Sequence, residues 1–126
     1  MKLYLVFYTD KFIPDGSRGC AKGPFIFIRP QCKEDEGLLA HEKEHVRQFW
    51  ANPILHGLQY KFQWKYRLRC EIAAYQQQLK YVQAGDKDRY RTHYAEMVAT
   101  RYKIPVTAEY VERLLRGNAD IWESDL

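Results

Sequence analysis

Apolar residues recur along this chain with two different periods, and the change from one to the other divides it. Residues 3–8 (Leu-Tyr-Leu-Val-Phe-Tyr) are β-branched and aromatic and predict a strand. Asp10 to Gly23 carries Pro14, Asp15-Gly16, Ser17 and Gly19, which predicts a turn-rich connection or loose hairpin. Phe25-Ile26-Phe27-Ile28, fenced by Pro24 and Pro30, reads as a second strand. A proline at each end removes a ladder donor, so this strand is expected at a sheet edge. Glu34-Asp35-Glu36 then puts acid where a helix dipole favours it, with Asp35 as N-cap, and a helix is predicted over 36–51, ending before Asn52-Pro53.

The stretch 60–68 alternates apolar with polar, a strand-like period, but Leu68, Ile72, Tyr75, Leu79 and Val82 recur at helical spacing. The pattern predicts a helix from the mid-sixties to near Gly85 and leaves 58–65 open between strand and helix. A further helix is expected over 87–103, with Tyr90, Tyr94, Met97 and Arg101 on one face. Pro105 breaks it, Thr107 caps a short helix through Leu115, and Gly117 stops that one. Ile121 and Trp122 in the tail are apolar enough to pack back on the body. Strands first and helices after, with no repeat or linker, give an α+β fold in one domain over 1–126.

Composition narrows the class without deciding it. The 126 residues are 46% hydrophobic and 29% charged, which suits a globular domain with a modest core. No apolar run is long enough to span a bilayer, and Met1-Lys2 lead into a strand rather than a signal peptide, so a cytoplasmic start is expected. Cys20, Cys32 and Cys70 are odd in number and lack CxxC spacing, which predicts neither a disulfide framework nor a cysteine metal site. The net charge of +4 is mild and does not demand an acidic partner.

The chemistry concentrates in His41-Glu42-Lys43-Glu44-His45. On a helix the two histidines lie about 40° apart, one turn above each other, where both imidazoles reach one zinc ion. Glu42 lies about 100° round from His41, beside the ion without being a ligand, and is the candidate general base. Its neighbours on the wheel are Phe49 at about 80° and Val46 at about 140°, so a carboxylate sits within the apolar stripe. That placement is costly without a partner or a task. Glu44 is expected to face solvent with Lys43 and Arg47.

Zinc that keeps a water needs a third protein ligand. A histidine six places after the second, with glycine midway, is one solution, but Ala51 and Gln48 occupy those positions. A glutamate on the next helix is another, and Glu71 is the candidate, at the edge of the Leu68-Ile72-Tyr75-Leu79 stripe. The plainer reading of Glu71 is an i−4 pair with Arg67, and Glu44, Asp86, Asp88 and Glu96 are the remaining acids. Ala74 is small enough to let two helices approach closely.

His41-Glu42-x-x-His45 followed by Glu71-x-x-Ala74-Tyr75 resembles the gluzincin branch of zinc metallopeptidases. The segments Leu39–Gln48 and Arg67–Tyr75 are similar to those of small single-domain proteins of this kind in bacteria and phages. The resemblance covers roughly residues 24–80, and the usual second acid of the glutamate helix is absent, with Arg69 and Ala73 in its place. It implies a small sheet packed on the motif helix, with Phe25, Ile26, Phe27 and Ile28 as the edge strand to which an extended peptide or protein substrate adds. It also implies hydrolysis of a peptide bond by water activated on one zinc ion, with Glu42 as base and His41, His45 and Glu71 as ligands. A tyrosine or histidine often assists the oxyanion in such enzymes, and Tyr94, His93 and Tyr102 are candidates. Among ten tyrosines none is singled out by position.

Other features have duller or rival readings. His56 is a packing residue or an alternative ligand, Cys70 a passive thiol, and Cys32 a thiol just ahead of the motif helix. Lys61, Lys65, Arg67 and Arg69 interleave with Tyr60, Phe62, Trp64 and Tyr66, a pattern found in nucleic-acid-binding proteins. Long basic side chains lying over aromatic core residues produce the same pattern. A zinc-stabilised interaction module without catalysis is the third reading, and the presence of Glu42 argues against it.

Overall fold

In the computed structural model, which describes residues 3–117, the chain forms a three-stranded sheet followed by five helices, an α+β fold. Strands β1 (Leu5–Tyr8), β2 (Gly19–Lys22) and β3 (Phe25–Ile28) lie in the order β1-β3-β2. β1 runs parallel to β3 and β2 antiparallel to it, with Leu5 opposite Phe25 and Lys22 also opposite Phe25. The β2–β3 hairpin closes at Gly23, whose φ of +59° suits a residue without Cβ. The expected edge position of Phe25, Ile26, Phe27 and Ile28 is therefore corrected: they are the central strand, paired on both sides. The flanking prolines sit just outside the ladder at both ends, where a missing N–H costs no pairing. The free edge facing the helices belongs to β2, inside the stretch read as a turn-rich connection. Its sequence Gly-Cys-Ala-Lys carries no strand signature.

Helix α1 (Glu36–Ala51) starts where Asp35 Oδ1 accepts from the backbone N–H of Leu38 at 2.9 Å. α2 (His56–Phe62) occupies the ambiguous stretch, and α3 (Trp64–Leu79) follows after a break at Gln63. α4 (Lys87–Arg101) and α5 (Ala108–Leu115) complete the fold, with the Thr107 hydroxyl accepting from Tyr110 N at 3.1 Å as the cap of α5. Ile121 and Trp122 lie outside the described residues. No helix among the described residues is long and apolar enough to cross a membrane.

Two apolar clusters result. Ile26 and Ile28 of β3 pack with Cys32, Leu38 and Val46 beneath the sheet. Leu68, Ile72, Tyr75 and Leu79 of α3 pack with Tyr94, Val98, Ile104, Val111 and Leu114. Between the clusters α1 lies against α3, with Ala74 fully buried. The buried polar residues His41, Glu42, Glu44, Gln48, Glu71 and Gln78 all belong to these two helices. A polar seam so placed must satisfy its own groups, because water is largely excluded.

Candidate metal centre

The 3.6-residue period of α1 sets His41 and His45 one above the other, and α3 brings Glu71 against both. His41 Nε2 lies 3.2 Å from His45 Nε2. Glu71 Oε1 is 3.5 Å from His41 Nε2, and Glu71 Oε2 is 3.3 Å from His45 Nε2. Ligand atoms about 2.0–2.1 Å from one tetrahedral ion lie roughly 3.3–3.4 Å apart, so this triangle has the dimensions of one face of such a site. Glu71 is 1% exposed, and its Oε1 has no hydrogen-bond donor. A buried carboxylate oxygen without a donor is costly, and a cation is the partner that fits it. His41, His45 and Glu71 together can hold a metal ion.

The electrostatics follow from the crowding. Burial opposes the charge on His45, but the Glu71 carboxylate, its hydrogen bond, Glu42 and Gln48 outweigh it and raise the imidazole pKa to about 9. Burial likewise opposes ionisation of Glu71, yet the charge on His45 and the contacts with both histidines hold it below the usual carboxylate range. Glu42, also buried, goes the other way: desolvation raises its pKa, and the neighbouring histidines only partly offset that. One carboxylate is thus kept ionised while its neighbour is made basic, a separation of roles set by environment.

A run of hydrogen bonds supports His45 from the side of α1 away from Glu71 Oε2. His45 Nδ1 lies 3.0 Å from Gln48 Oε1, and Gln48 Nε2 donates to Glu44 Oε2 and to the Cys70 carbonyl, each at 3.0 Å. With its amide nitrogen so occupied, Gln48 can only accept from His45. That fixes the proton on Nδ1 and turns the Nε2 lone pair toward Glu71 in the neutral imidazole. Glu44, expected to face solvent, is instead buried, and Arg47 donates to both of its oxygens at 2.9 and 2.6 Å. Cys70 is buried too, with its thiol pKa pushed up to about 12 by desolvation, which makes it inert.

The ligands open into a cleft of about 330 Å³ whose opposite wall is β2 from Gly19 to Lys22. Gly19 is required there. A Cβ on it would lie 2.9 Å from the Phe27 carbonyl and 3.5 Å from Glu42 Oε2. Tyr60, Tyr102 and His56 also line it, with Pro14, Ser17 and Gly23. The Tyr60 hydroxyl donates to Glu71 Oε2, and the Tyr102 hydroxyl lies 3.0 Å from that of Tyr75. Desolvation, reinforced by the charge on Glu71, raises the pKa of both phenols, so both remain O–H donors. His56 stands apart from the ligand triangle, with its Nδ1 2.7 Å from the Tyr66 hydroxyl.

Two candidate oxyanion donors lie elsewhere. Tyr94 packs on Tyr75 with ring centroids 4.8 Å apart, His93 is exposed on α4, and neither lines the cleft over the ligands. The Glu71–Arg67 pair does not form. The Arg67 guanidinium instead donates to the carbonyls of Tyr102 at 2.7 Å, Tyr60 at 2.6 Å, and Lys61 and Lys103, both at 3.1 Å. It thereby ties together the two segments that carry the cleft tyrosines. Much of the basic and aromatic stretch 60–69 is thus used internally. Tyr60 gave no signal in the sequence, because its element was ambiguous, whereas Tyr102 was one of the three named candidates and does line the cleft. No protein-family model, curated protein or solved structure matches the chain.

Proposed function

We propose that this protein is a zinc-dependent metallopeptidase of the gluzincin type. The observation that carries the reading is the triangle of His41 Nε2, His45 Nε2 and a Glu71 oxygen at 3.2–3.5 Å, with the unligated Glu42 buried beside it at the floor of an open cleft. Two imidazoles and a carboxylate are a donor set suited to zinc with an exchangeable position. The ion would supply Lewis acidity, polarising a carbonyl and acidifying water. Glu42, made basic by burial, takes a proton from the attacking water as its oxygen bonds to the carbonyl carbon. It then delivers that proton to the leaving nitrogen as the C–N bond breaks. Tyr60 and Tyr102 are the neutral hydroxyls on the cleft wall and are our candidates for donors to the developing oxyanion. β2 offers a free main-chain edge beside Glu42 to an extended peptide.

Zinc content of the purified protein, measured without added metal, is expected to approach one ion per chain. Glu42→Gln should keep the ion and lose peptide hydrolysis by roughly 10²–10⁴-fold, the usual contribution of a general base. His41→Ala should lose both. A Glu42→Gln protein as active as the parent would overturn the assignment.

A further inference from the structure

Helix α2 has two sides of different chemistry. By the 100° step of a helix, Leu58 and Phe62 lie about 160° round from Tyr60, and Leu55 falls beside them. Tyr60 and His56 line the cleft, so Leu55, Leu58 and Phe62 form an apolar stripe on the opposite side. Among the described residues nothing covers that stripe. Ile54, in the turn ahead of the helix, is 86% exposed, Leu58 58% and Phe62 72%, and no residue of α2 is buried. The charge around the stripe has one sign. Residues 45–70 contain five lysines and arginines and no aspartate or glutamate. Lys61 Nζ sits 5.4 Å from the centre of the Phe62 ring, and Lys65 Nζ 5.8 Å from that of Trp64. Arg67 donates to the carbonyls of Tyr60, Lys61 and Lys103, which brings Lys103 alongside α2.

We propose that this face of α2 docks on an anionic phospholipid membrane, with Ile54, Leu55, Leu58 and Phe62 entering the headgroup region and Lys61, Lys65 and Lys103 meeting lipid phosphates. An apolar helix face bordered by lysines lies in a bilayer interface, held there by buried apolar area and by charge together. The same charge opposes a second copy of this chain, because two such segments face to face would bring like charges together. Single-stranded nucleic acid binds by stacking on aromatic rings, whereas three of the four exposed side chains here are aliphatic. Docking through this face holds the cleft close to the membrane, since His56 and Tyr60 reach into it from the same helix. The surface uses none of His41, Glu42, His45 and Glu71, so the proposal does not depend on the peptidase reading.

The test is co-sedimentation of the full chain with vesicles of phosphatidylcholine, alone or with about one-third phosphatidylglycerol, at low salt. The anionic vesicles are expected to bind about tenfold or more tighter, and salt near about 0.5 M should remove most of that preference. Leu58→Ser and Phe62→Ser, at exposed positions, should each weaken binding by roughly tenfold. Lys61→Glu should leave the apolar stripe intact and lower the preference for anionic lipid by roughly severalfold. Phe7→Ser, at another exposed aromatic on the outer face of the sheet, should leave binding unchanged. Anionic binding that survives both serine substitutions in α2, or that is lost in Phe7→Ser instead, overturns the proposal. So does a parent chain that ignores both kinds of vesicle, whether it captures a single-stranded oligonucleotide or pairs with itself through Leu58 and Phe62. Zinc content of the same samples reports on the metal ligands separately and should be the same in all four variants.

Discussion

His45 in the metal-free protein carries a proton at neutral pH, because its pKa is raised to about 9 beside Glu71. A cation must displace that proton to bind, since only the neutral imidazole is a ligand. Calorimetry at pH 7 in buffers of different ionisation enthalpy should therefore show release of about one proton per ion bound. The same shift has a consequence for stability. A raised histidine pKa contributes stability that is complete below the ordinary value of 6.5 and is lost as pH rises through about 9. Glu42, whose pKa is also raised, acts in the same direction above its ordinary 4.5. Urea midpoints of chelator-treated protein should fall between pH 6 and pH 9, whereas with zinc they should hold or rise. A parallel fall in both would show that no ion competes for the imidazole.

At the scale of elements, β2 and α1 are fitted to each other through a single glycine. Gly19 Cα packs against the central strand and the Glu42 carboxylate at a separation that leaves no room for a methyl group. Gly19→Ala must push β2 outward or displace Glu42. We expect a loss of about 1–3 kcal/mol in stability, as for other overpacked positions. On the peptidase reading, hydrolysis should fall further than zinc content, since the added Cβ would meet Glu42 but none of His41, His45 and Glu71. Equal losses in both would place the damage in the fold rather than at the base. Along α1, the chain from Arg47 through Glu44 and Gln48 to His45 explains why polar residues occupy a buried helix face. Each satisfies the next, and the last one holds His45, a candidate ligand.

For the whole molecule, His41, His45 and Glu71, which could hold a metal ion, sit in the polar seam between two separate apolar clusters. The sheet cluster and the α3–α5 cluster meet across α1 and α3, where six buried polar residues take the place of a continuous core. An ion bound by both helices would join the halves, and anything that binds only the folded state stabilises it by mass action. Removing the metal with a chelator should lower the melting temperature by about 5–10 °C or more, a few kcal/mol for a domain of this size. Glu71→Gln should reproduce most of that loss and cut zinc affinity. A melting temperature indifferent to chelator would mean that the seam holds together by its hydrogen bonds alone.

The sequence by itself determined α1, α4 and α5 and the start of α3, but left α2 open between strand and helix. Asp35 and Thr107 cap as their side chains dictate, and helical spacing placed α1 and α4 within a residue or two, whereas α3 ends at Leu79, short of the expected Gly85. It also determined the pairing of His41 with His45, because a spacing of four on a helix has a single geometric outcome, and it marked Glu71 through its position at a stripe edge. Only the tertiary structure decided which strand has a free edge. Prolines limit pairing only where they sit within a ladder, and those flanking β3 lie outside it. Only the tertiary structure buried Glu44, because a helix wheel shows direction but not what stands opposite. It also turned Arg67 away from Glu71 and brought Tyr60 and Tyr102 to the cleft. Those contacts join residues far apart in the chain, and no local period records which distant side chains will share one pocket.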